Sequence, residues 1–198
     1  MKKIITISRE FGAAGGEIGR RVAKALDYGY FDKEIIYQVA YDSNLDADSL
    51  IKWDENIPTD FGFAQSLFDF YNRPLSERLY AAQTKVIREI GEKGSCVIVG
   101  RNANHILKEF DNSLHLFISA DTSFRVQHIK ELLPDQSEHK IKEQIRTIDK
   151  QRKKFSKYYT GQTFGYAENY DICLKSSSLG IDACVDLVLH LAQGSNDG

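Results

Sequence analysis

The chain of 198 residues carries 26 Lys and Arg against 28 Asp and Glu, which gives a formal net charge of −2. Hydrophobic residues make up 42% and charged residues 27%, values of an ordinary folded protein that exclude disordered, collagen-like and coiled-coil classes. The length predicts one domain over residues 1–198. The charge does not favour nucleic acid as a partner, and no stretch approaches the roughly 20 apolar residues of a membrane span.

The cysteines and histidines give no sign of a disulfide framework or a metal site. Cys96, Cys173 and Cys184 are odd in number and lie in apolar surroundings, which predicts buried thiols in a reducing compartment. The five histidines lack the spacing of zinc ligands, and His115 alternates within a strand pattern, so no metal ligand is assigned. The first apolar run is too short for a signal peptide, and the cytoplasm is the expected location.

Strand and helix patterns alternate along the chain. Apolar runs at residues 4–7, 96–99 and 114–118 predict fully buried parallel strands, and further strand segments are expected at 28–31 and 170–174. Apolar side chains at helical spacing predict helices over residues 18–26 and 75–90, another after Asp121 that stops at Pro134, and a last one from Ile181 to Gly194. This order predicts an α/β fold with a parallel sheet.

A loop of small residues joins the first strand to the first helix. It contains Gly12, Ala13, Ala14, Gly15 and Gly16 and is followed by Glu17. Backbone N–H groups of such a loop, together with a helix N-terminus, favour a phosphate group. The Walker A motif also needs a lysine and a hydroxyl, yet Gly15 stands near the lysine position and Glu17 near the hydroxyl position. The residues alone leave open a phosphate cradle or a turn that binds no ligand.

Residues 140–157 form a basic segment with eight Lys or Arg against Glu143 and Asp149. At helical spacing, Arg152 falls within an apolar stripe, while Arg146, Asp149 and Lys153 fall on a different face. A guanidinium among apolar side chains needs an acidic or phosphate partner, because an unpaired buried charge is costly. The other basic side chains are equally consistent with a solvated helix face.

Two polar residues follow predicted strands, Asp32 after 28–31 and Arg101 after 96–99. Loops at the carboxyl ends of parallel strands are where open α/β sheets bind ligands. An acid at Asp32 could accept a proton from an attacking oxygen or orient that oxygen. Arg101 is a candidate for anion binding, with a role beside a helix end as the alternative.

Several of these segments together resemble the cytidylate-kinase-like family of P-loop kinases, whose members have a loop that differs from the Walker A motif. The segments, in chain order, are Thr6-Ile7-Ser8-Arg9-Glu10-Phe11-Gly12, Tyr30-Phe31-Asp32-Lys33-Glu34-Ile35-Ile36, Val97-Ile98-Val99-Gly100-Arg101, Ile148-Asp149-Lys150-Gln151-Arg152, Tyr158-Tyr159-Thr160 and Tyr170-Asp171. Members often have Ser-Gly-Gly-Arg where this chain has Ala13-Ala14-Gly15-Gly16, so the family's arginine is missing here.

The resemblance implies a three-layer P-loop kinase fold with about five parallel strands flanked by helices. It also implies a helical acceptor-binding insertion at about residues 42–92, where acidic and aromatic side chains cluster, and a lid at about residues 138–165. The implied activity moves the γ-phosphoryl group of ATP, with Mg²⁺, to a nucleoside monophosphate or a similar small phosphorylated acceptor.

The resemblance implies roles for particular residues as well. ATP phosphates would lie at residues 12–17, Arg146 and Arg152 would be catalytic lid arginines, and Asp149 would orient them. Arg101 would hold the acceptor phosphate, with Asp32 near the acceptor. Asn102 and Lys33 depart from the corresponding residues of true cytidylate kinases, so the acceptor is not fixed by the sequence.

The missing lysine supports a different class of function, a regulatory protein that binds a nucleotide or phosphate without turnover. Nucleic-acid binding through the basic segment ranks last because the net charge is −2. No membrane partner is expected, and the sequence leaves homo-oligomer formation open.

Overall fold

The computed structural model describes residues 1–32 and 77–194. The strands are β1 (Ile4–Arg9), β2 (Gly29–Phe31), β3 (Cys96–Val99), β4 (Ser113–Ser119) and β5 (Ile172–Lys175). The helices are α1 (Gly15–Leu26), α2 (Glu77–Lys93), α3 (Ala103–Ile106), α4 (Thr122–Leu132), α5 (Glu138–Thr160), α6 (Ser176–Leu179) and α7 (Ile181–Gln193), and a 3₁₀ turn spans Ala167–Asn169. The predicted insertion at 42–92 lies outside the described residues, apart from α2.

The strands form one parallel sheet in the order β2-β3-β1-β4-β5. In the central strand, Ile4 lies beside Cys96 of β3 and beside Ser113 of β4. The predicted strands at 4–7, 96–99 and 114–118 are confirmed, and their residues are buried throughout. Because all strands run the same way, their carboxyl ends meet at one edge of the sheet, where β1 leads into the small-residue loop.

Helices cover both faces of the sheet, which confirms the predicted three-layer α/β fold. Alternate residues of β1 point to opposite faces. Ile7 packs with Ile18 of α1 and Val188 of α7 in one buried cluster, whereas Ile4 packs with Val86 of α2 in another. None of the helices within the described ranges is long and apolar enough to cross a lipid bilayer.

Strand β5 differs from its prediction in position and in burial. It begins at Ile172 rather than at residue 170, and only Leu174 of its residues is buried. Within the described residues β5 pairs with β4 alone and is an edge strand, and its alternating side chains are buried only at Leu174. The prediction that all three thiols are buried is therefore wrong for Cys173, which is exposed, and holds for Cys96 and Cys184.

His115 of β4 is a buried histidine held by hydroxyl groups. Its Nδ1 lies 2.7 Å from Oγ1 of Thr6, and its Nε2 lies 2.9 Å from Oγ of Ser113. Burial lowers the pKa of His115 below its ordinary value, the charge of Lys2 lowers it further, and Asp171 acts in the opposite direction. The folded state therefore favours the neutral imidazole.

We expect the His115 contribution to the free energy of unfolding to fall as the pH is lowered through about 6.5, the ordinary pKa of histidine. Unfolded His115 takes up a proton near that pH, whereas the lowered pKa keeps folded His115 neutral there. This contribution is fully present above the unfolded pKa and is lost progressively as the pH falls toward the lower pKa of the folded state. Urea denaturation of His115→Gln should show a smaller decrease than the wild type. His139→Gln, at an exposed histidine, is the control and should show the wild-type decrease. A His115→Gln variant with the wild-type pH dependence would contradict the assignment.

Candidate functional site

The small-residue loop, residues 12–16, turns sharply between β1 and α1. Gly12 has φ +81° and Ala14 has φ +61°, so both adopt the left-handed conformation that favours glycine. Helix α1 begins at Gly15, and both Gly15 and Gly16 line a cavity at this end of the sheet. A helix N-terminus offers unpaired backbone N–H groups and a positive dipole end, which together favour an anion.

A buried network holds the peptide groups of Phe11 at the start of this loop. The backbone N–H of Phe11 donates to Oδ1 of Asp149 at 2.8 Å, and Nε of Arg125 donates to the Phe11 carbonyl at 2.7 Å. Arg125 also forms a buried ion pair with Asp149. Its Nη1 lies 3.4 Å from Oε2 of Glu10, whose carboxylate accepts a hydrogen bond from the backbone of Ala120. The loop is thereby tied to α4 and α5.

This network corrects one expectation about α5. Asp149 is 9% exposed, whereas Arg146 and Lys153, which were expected to share its face, are exposed. The reason is tertiary, because α4 brings Arg125 against the edge of α5 on which Asp149 lies. In this structure Asp149 orients Arg125 and the Phe11 backbone.

The cavity beside the loop has a volume of about 440 Å³, which lies in the range of small-molecule sites. We call it the loop cavity. Its lining residues are Arg9, Glu10, Phe11, Gly12, Ala14, Gly15, Gly16, Glu17, Arg20, Tyr30, Asp32, Val99, His128, Ile129, Leu132, Leu133 and Arg152. Three of these side chains carry guanidinium groups, so the cavity has cations as well as backbone N–H groups to offer an anion.

A smaller pocket adjoins the loop cavity at the carboxyl ends of β1 and β3, and we call it the arginine pocket. It is lined by Ser8, Arg9, Gly100, Arg101, Asn102, Arg152, Phe155 and Phe164. Arg9 and Arg152 line both spaces. These two arginines therefore lie at the boundary between the loop cavity and the arginine pocket.

The turn after β3 holds Arg101 in an unusual backbone conformation. Gly100, Arg101 and Asn102 have φ values of +84°, +59° and +55°, three left-handed residues in succession. Arg101 is 6% exposed, and its guanidinium carbon lies 5.6 Å from the centroid of the Phe155 ring. Left-handed conformations of residues other than glycine cost about 1 to 3 kcal/mol and cluster at functional sites.

Arg152 occupies the position in the apolar stripe of α5 that the sequence indicates. Ile141, Ile145 and Ile148 of that stripe are buried, and Arg152 is 6% exposed. Its Nη1 donates to the carbonyl of Arg9 at 2.8 Å, and its guanidinium carbon lies 5.8 Å from the centroid of the Phe11 ring. The guanidinium is thus held next to the last residue of β1.

The structure brings most of the candidate residues from the sequence to this edge of the sheet. Gly12, Ala14, Gly15, Gly16, Glu17, Asp32 and Arg152 line the loop cavity, and Arg101 lines the arginine pocket. Ala13, within the loop, is buried, and its carbonyl accepts a hydrogen bond from the Ser176 hydroxyl at 2.9 Å. Asp149 lies behind the loop, and Arg146 lies on the exposed side of α5, so neither lines these two spaces.

Sequence reasoning missed several residues of the site, among them Arg125 and His128 of α4. His128 lies 3.1 Å from the Gly12 carbonyl and 3.4 Å from the Glu17 carboxylate. Arg125 precedes Ile129 by four residues and so lies within the apolar stripe of α4. A guanidinium within an apolar stripe, the pattern that marks Arg152 in the sequence, marks Arg125 as well.

Metal-binding groups are sparse in the described part of the chain. Among residues 1–32 and 77–194, no group of three or more His, Cys, Asp or Glu side chains could hold a metal ion. The carboxylates of Glu10, Glu17 and Asp32 nevertheless line the loop cavity beside the small-residue loop, and of these Glu10 is paired with Arg125. This donor set suits Mg²⁺ that arrives with phosphates, because Mg²⁺ keeps several waters and needs only one or two carboxylates.

A comparison with protein families matches residues 4–178 to the cytidylate kinase-like family. The chain belongs to this family. The match spans the small-residue loop, the Arg101 turn and all of α5, so every element that lines the two spaces falls within it. A comparison with curated proteins finds no match.

Solved structures with the same fold include one uncharacterised protein and several kinases. A protein from Eubacterium ventriosum is 24% identical, with a TM-score of 0.75 and coverage of 96% of this chain and 98% of that one. Shikimate kinase from Acinetobacter baumannii, solved with shikimate, is 13% identical, with a TM-score of 0.55 and coverage of 99% and 96%. Shikimate kinase from Bacteroides thetaiotaomicron is 12% identical, with a TM-score of 0.53 and coverage of 96% and 98%. At these identities the likeness establishes a kinase-like fold.

We expect removal of either partner of the Arg125–Asp149 pair to destabilise the protein by about 3 to 5 kcal/mol, because the other charge is left buried. The double variant Arg125→Ala/Asp149→Ala should lose less than the sum of the two single variants. Urea denaturation measures all three free energies of unfolding. Glu138→Ala, which breaks an exposed ion pair to Lys142 on the same helix, is the control and should leave the midpoint unchanged. Additive losses would show that the pair does not act as a unit.

Proposed function

We propose that the chain is an ATP-dependent phosphotransferase that passes the γ-phosphoryl group to a small phosphorylated acceptor, with a nucleoside monophosphate as the first candidate. The observation that carries the proposal is the position of Arg152, which lines both the loop cavity and the arginine pocket. Phosphoryl transfer needs positive charge around a group that moves between two bound partners. A guanidinium at the boundary of two adjoining sites meets that need.

The donor would bind in the loop cavity with its phosphates on the small-residue loop. Backbone N–H groups at the N-terminus of α1 and the guanidinium of Arg152 are the groups there that suit phosphate oxygens. Glu17 and Asp32 would hold Mg²⁺, directly or through water. The ion would neutralise negative charge on the terminal phosphates.

The acceptor phosphate would bind at the arginine pocket, where Arg101 would hold it. This pocket measures only about 20 Å³ in the structure, so the rest of the acceptor would lie outside it. The buried guanidinium of Arg101 is fixed by the turn after β3 and by Phe155. A planar guanidinium can form two parallel hydrogen bonds to one phosphate. This site favours an acceptor with an anionic group over a neutral one.

In the transfer step an acceptor oxygen forms a bond to the γ-phosphorus while the bond from that phosphorus to the bridging oxygen of ADP breaks. Arg152 stabilises charge on the three equatorial oxygens between the two sites. An acceptor phosphate attacks as an anion. If the acceptor oxygen is a hydroxyl, Asp32, one of three carboxylates that line the loop cavity, would take its proton.

The lid at about residues 138–165 and the role of Arg146 are part of this proposal. Residues Glu138–Thr160 form one continuous helix capped by Gly161, and Arg146 is exposed on it. Because Asp149 and Arg152 of the same helix are bound to the loop segment, contact of Arg146 with phosphate would require local rearrangement of the lid rather than movement of the whole helix. Closure of such a lid would exclude water from the transferring group.

One observation favours a second function, nucleotide binding without turnover. Neither the lysine nor the hydroxyl of Walker A is present, because Gly15 and Gly16 stand at those positions. The neighbouring Glu17 carboxylate lies 3.4 Å from His128 and 3.7 Å from Arg21. A protein of this kind would bind ATP in the loop cavity and release no ADP.

We expect ADP release from ATP and Mg²⁺ in the presence of one acceptor from a panel of nucleoside monophosphates and shikimate, which a structural neighbour binds. Arg152→Ala should lower kcat by about 10³-fold or more, because it removes charge that acts on the transferring group. Arg101→Ala should mainly raise KM for the acceptor. Both changes are measured by a coupled ADP assay.

Arg88→Ala is the matched control, because Arg88 is an exposed arginine of α2 that lines neither space. It should retain wild-type turnover. Equal background rates in the wild type and in Arg152→Ala, with every acceptor, would contradict the enzyme. Saturable ATP binding under the same conditions would then support the second function.

A further inference from the structure

We propose that Arg9 supplies the positive charge that a lysine supplies in a Walker A loop. This inference rests on the proposed function, because it concerns how the loop cavity holds the phosphates of the donor. Neither the sequence resemblance nor the family match assigns a role to Arg9. The proposal follows from the spacing of the loop, the space that the Arg9 side chain fills, and the two spaces that it lines.

The spacing of the motif places Arg9 at a position that is normally glycine. When Gly15 is aligned with the lysine of G-x-x-x-x-G-K, Ala14 aligns with the second glycine and Arg9 with the first. The backbone supports this alignment, since Ala14 keeps the left-handed φ of +61° that the second glycine would adopt freely. The chain thus lacks a side chain at position 15 and carries a cation at position 9.

The two changes are coupled through space. A Cβ atom on Gly15 would lie 2.6 Å from Cβ and 2.9 Å from Cγ of Arg9, closer than real side chains approach. The stem of Arg9 therefore fills the space beside residue 15 from which a lysine side chain would have to start. An arginine at position 9 and a lysine at position 15 are mutually exclusive in this backbone.

The far end of the Arg9 side chain lies against Gly100. A Cβ atom on Gly100 would collide with Nη1 of Arg9, so the guanidinium passes directly over this residue. The side chain thus runs from the small-residue loop to the turn that carries Arg101, through space that Gly15 and Gly100 leave open. This route takes the charge to the boundary of the loop cavity and the arginine pocket, both of which Arg9 lines.

The charges around Arg9 favour a phosphate at this boundary. Arg152 is fixed next to it, with Nη1 2.8 Å from the Arg9 carbonyl. A terminal phosphate bound on the small-residue loop would contact Arg9 on its side nearest the arginine pocket.

The test compares two variants that keep the stem of Arg9, the charged Arg9→Lys and the neutral Arg9→Met. Isothermal titration calorimetry measures binding of ATP, inorganic tripolyphosphate and adenosine, and circular dichroism checks that each variant is folded. Arg9→Met should bind tripolyphosphate and ATP about 10- to 100-fold more weakly, and Arg9→Lys within a few-fold of the wild type. Adenosine binding should be unchanged, and Arg88→Ala should match the wild type throughout.

A positional swap tests the equivalence directly. Gly15→Lys alone should disrupt the loop, because the new side chain collides with Arg9. The double variant Arg9→Gly/Gly15→Lys should recover tripolyphosphate binding that Arg9→Gly alone loses. A double variant that binds no better than Arg9→Gly would overturn the equivalence of the two positions.

The outcomes separate this inference from the proposed function. If the wild type binds tripolyphosphate and Arg9→Met binds it equally well, the role of Arg9 is overturned and the proposed donor site is not. Equal loss in Arg9→Met and Arg9→Lys would show that shape rather than charge matters, and would also overturn it. A wild type that binds neither ATP nor tripolyphosphate would overturn both proposals.

Discussion

The site depends on the buried ion pair of Arg125 and Asp149, which holds both sides of the Phe11 peptide. Two buried charges are stable only when their remaining hydrogen-bonding groups are satisfied, and here the loop backbone satisfies them. The pair joins α4, α5 and the start of the small-residue loop, which are far apart in sequence. Since Arg152 follows Asp149 by three residues on the same helix, this contact also places Arg152 next to Arg9.

Positive charge at the carboxyl edge of the sheet comes from three separate elements, with Arg9 at the end of β1, Arg101 after β3 and Arg152 on α5. All three guanidinium groups line the arginine pocket. In the proposed function they face the phosphates, and Arg9 takes the place of the usual lysine. Glycines at 15 and 100 make room for one of these side chains.

Much of this arrangement could be predicted from the sequence, because it depends on local patterns. Unbroken apolar runs indicated the central strands, and the guanidinium of Arg152 within an apolar stripe indicated a buried, partnered cation. The prediction was less accurate where a neighbouring element decides burial. Asp149 is buried because α4 brings Arg125 to it, and Cys173 lies on the exposed face of the edge strand β5.

The sequence by itself determined the α/β class, the parallel strands, the small-residue loop and the family, because each is written in residue type at short spacing. Only the tertiary structure decided which of the dispersed arginines meet, which carboxylate anchors the loop and which lines the cavity. Those outcomes depend on strand order and helix packing, which bring residues 9, 101 and 152 to one edge of the sheet. Spacing along the chain does not predict the distances between these residues, because side-chain contacts between elements depend on how the elements pack.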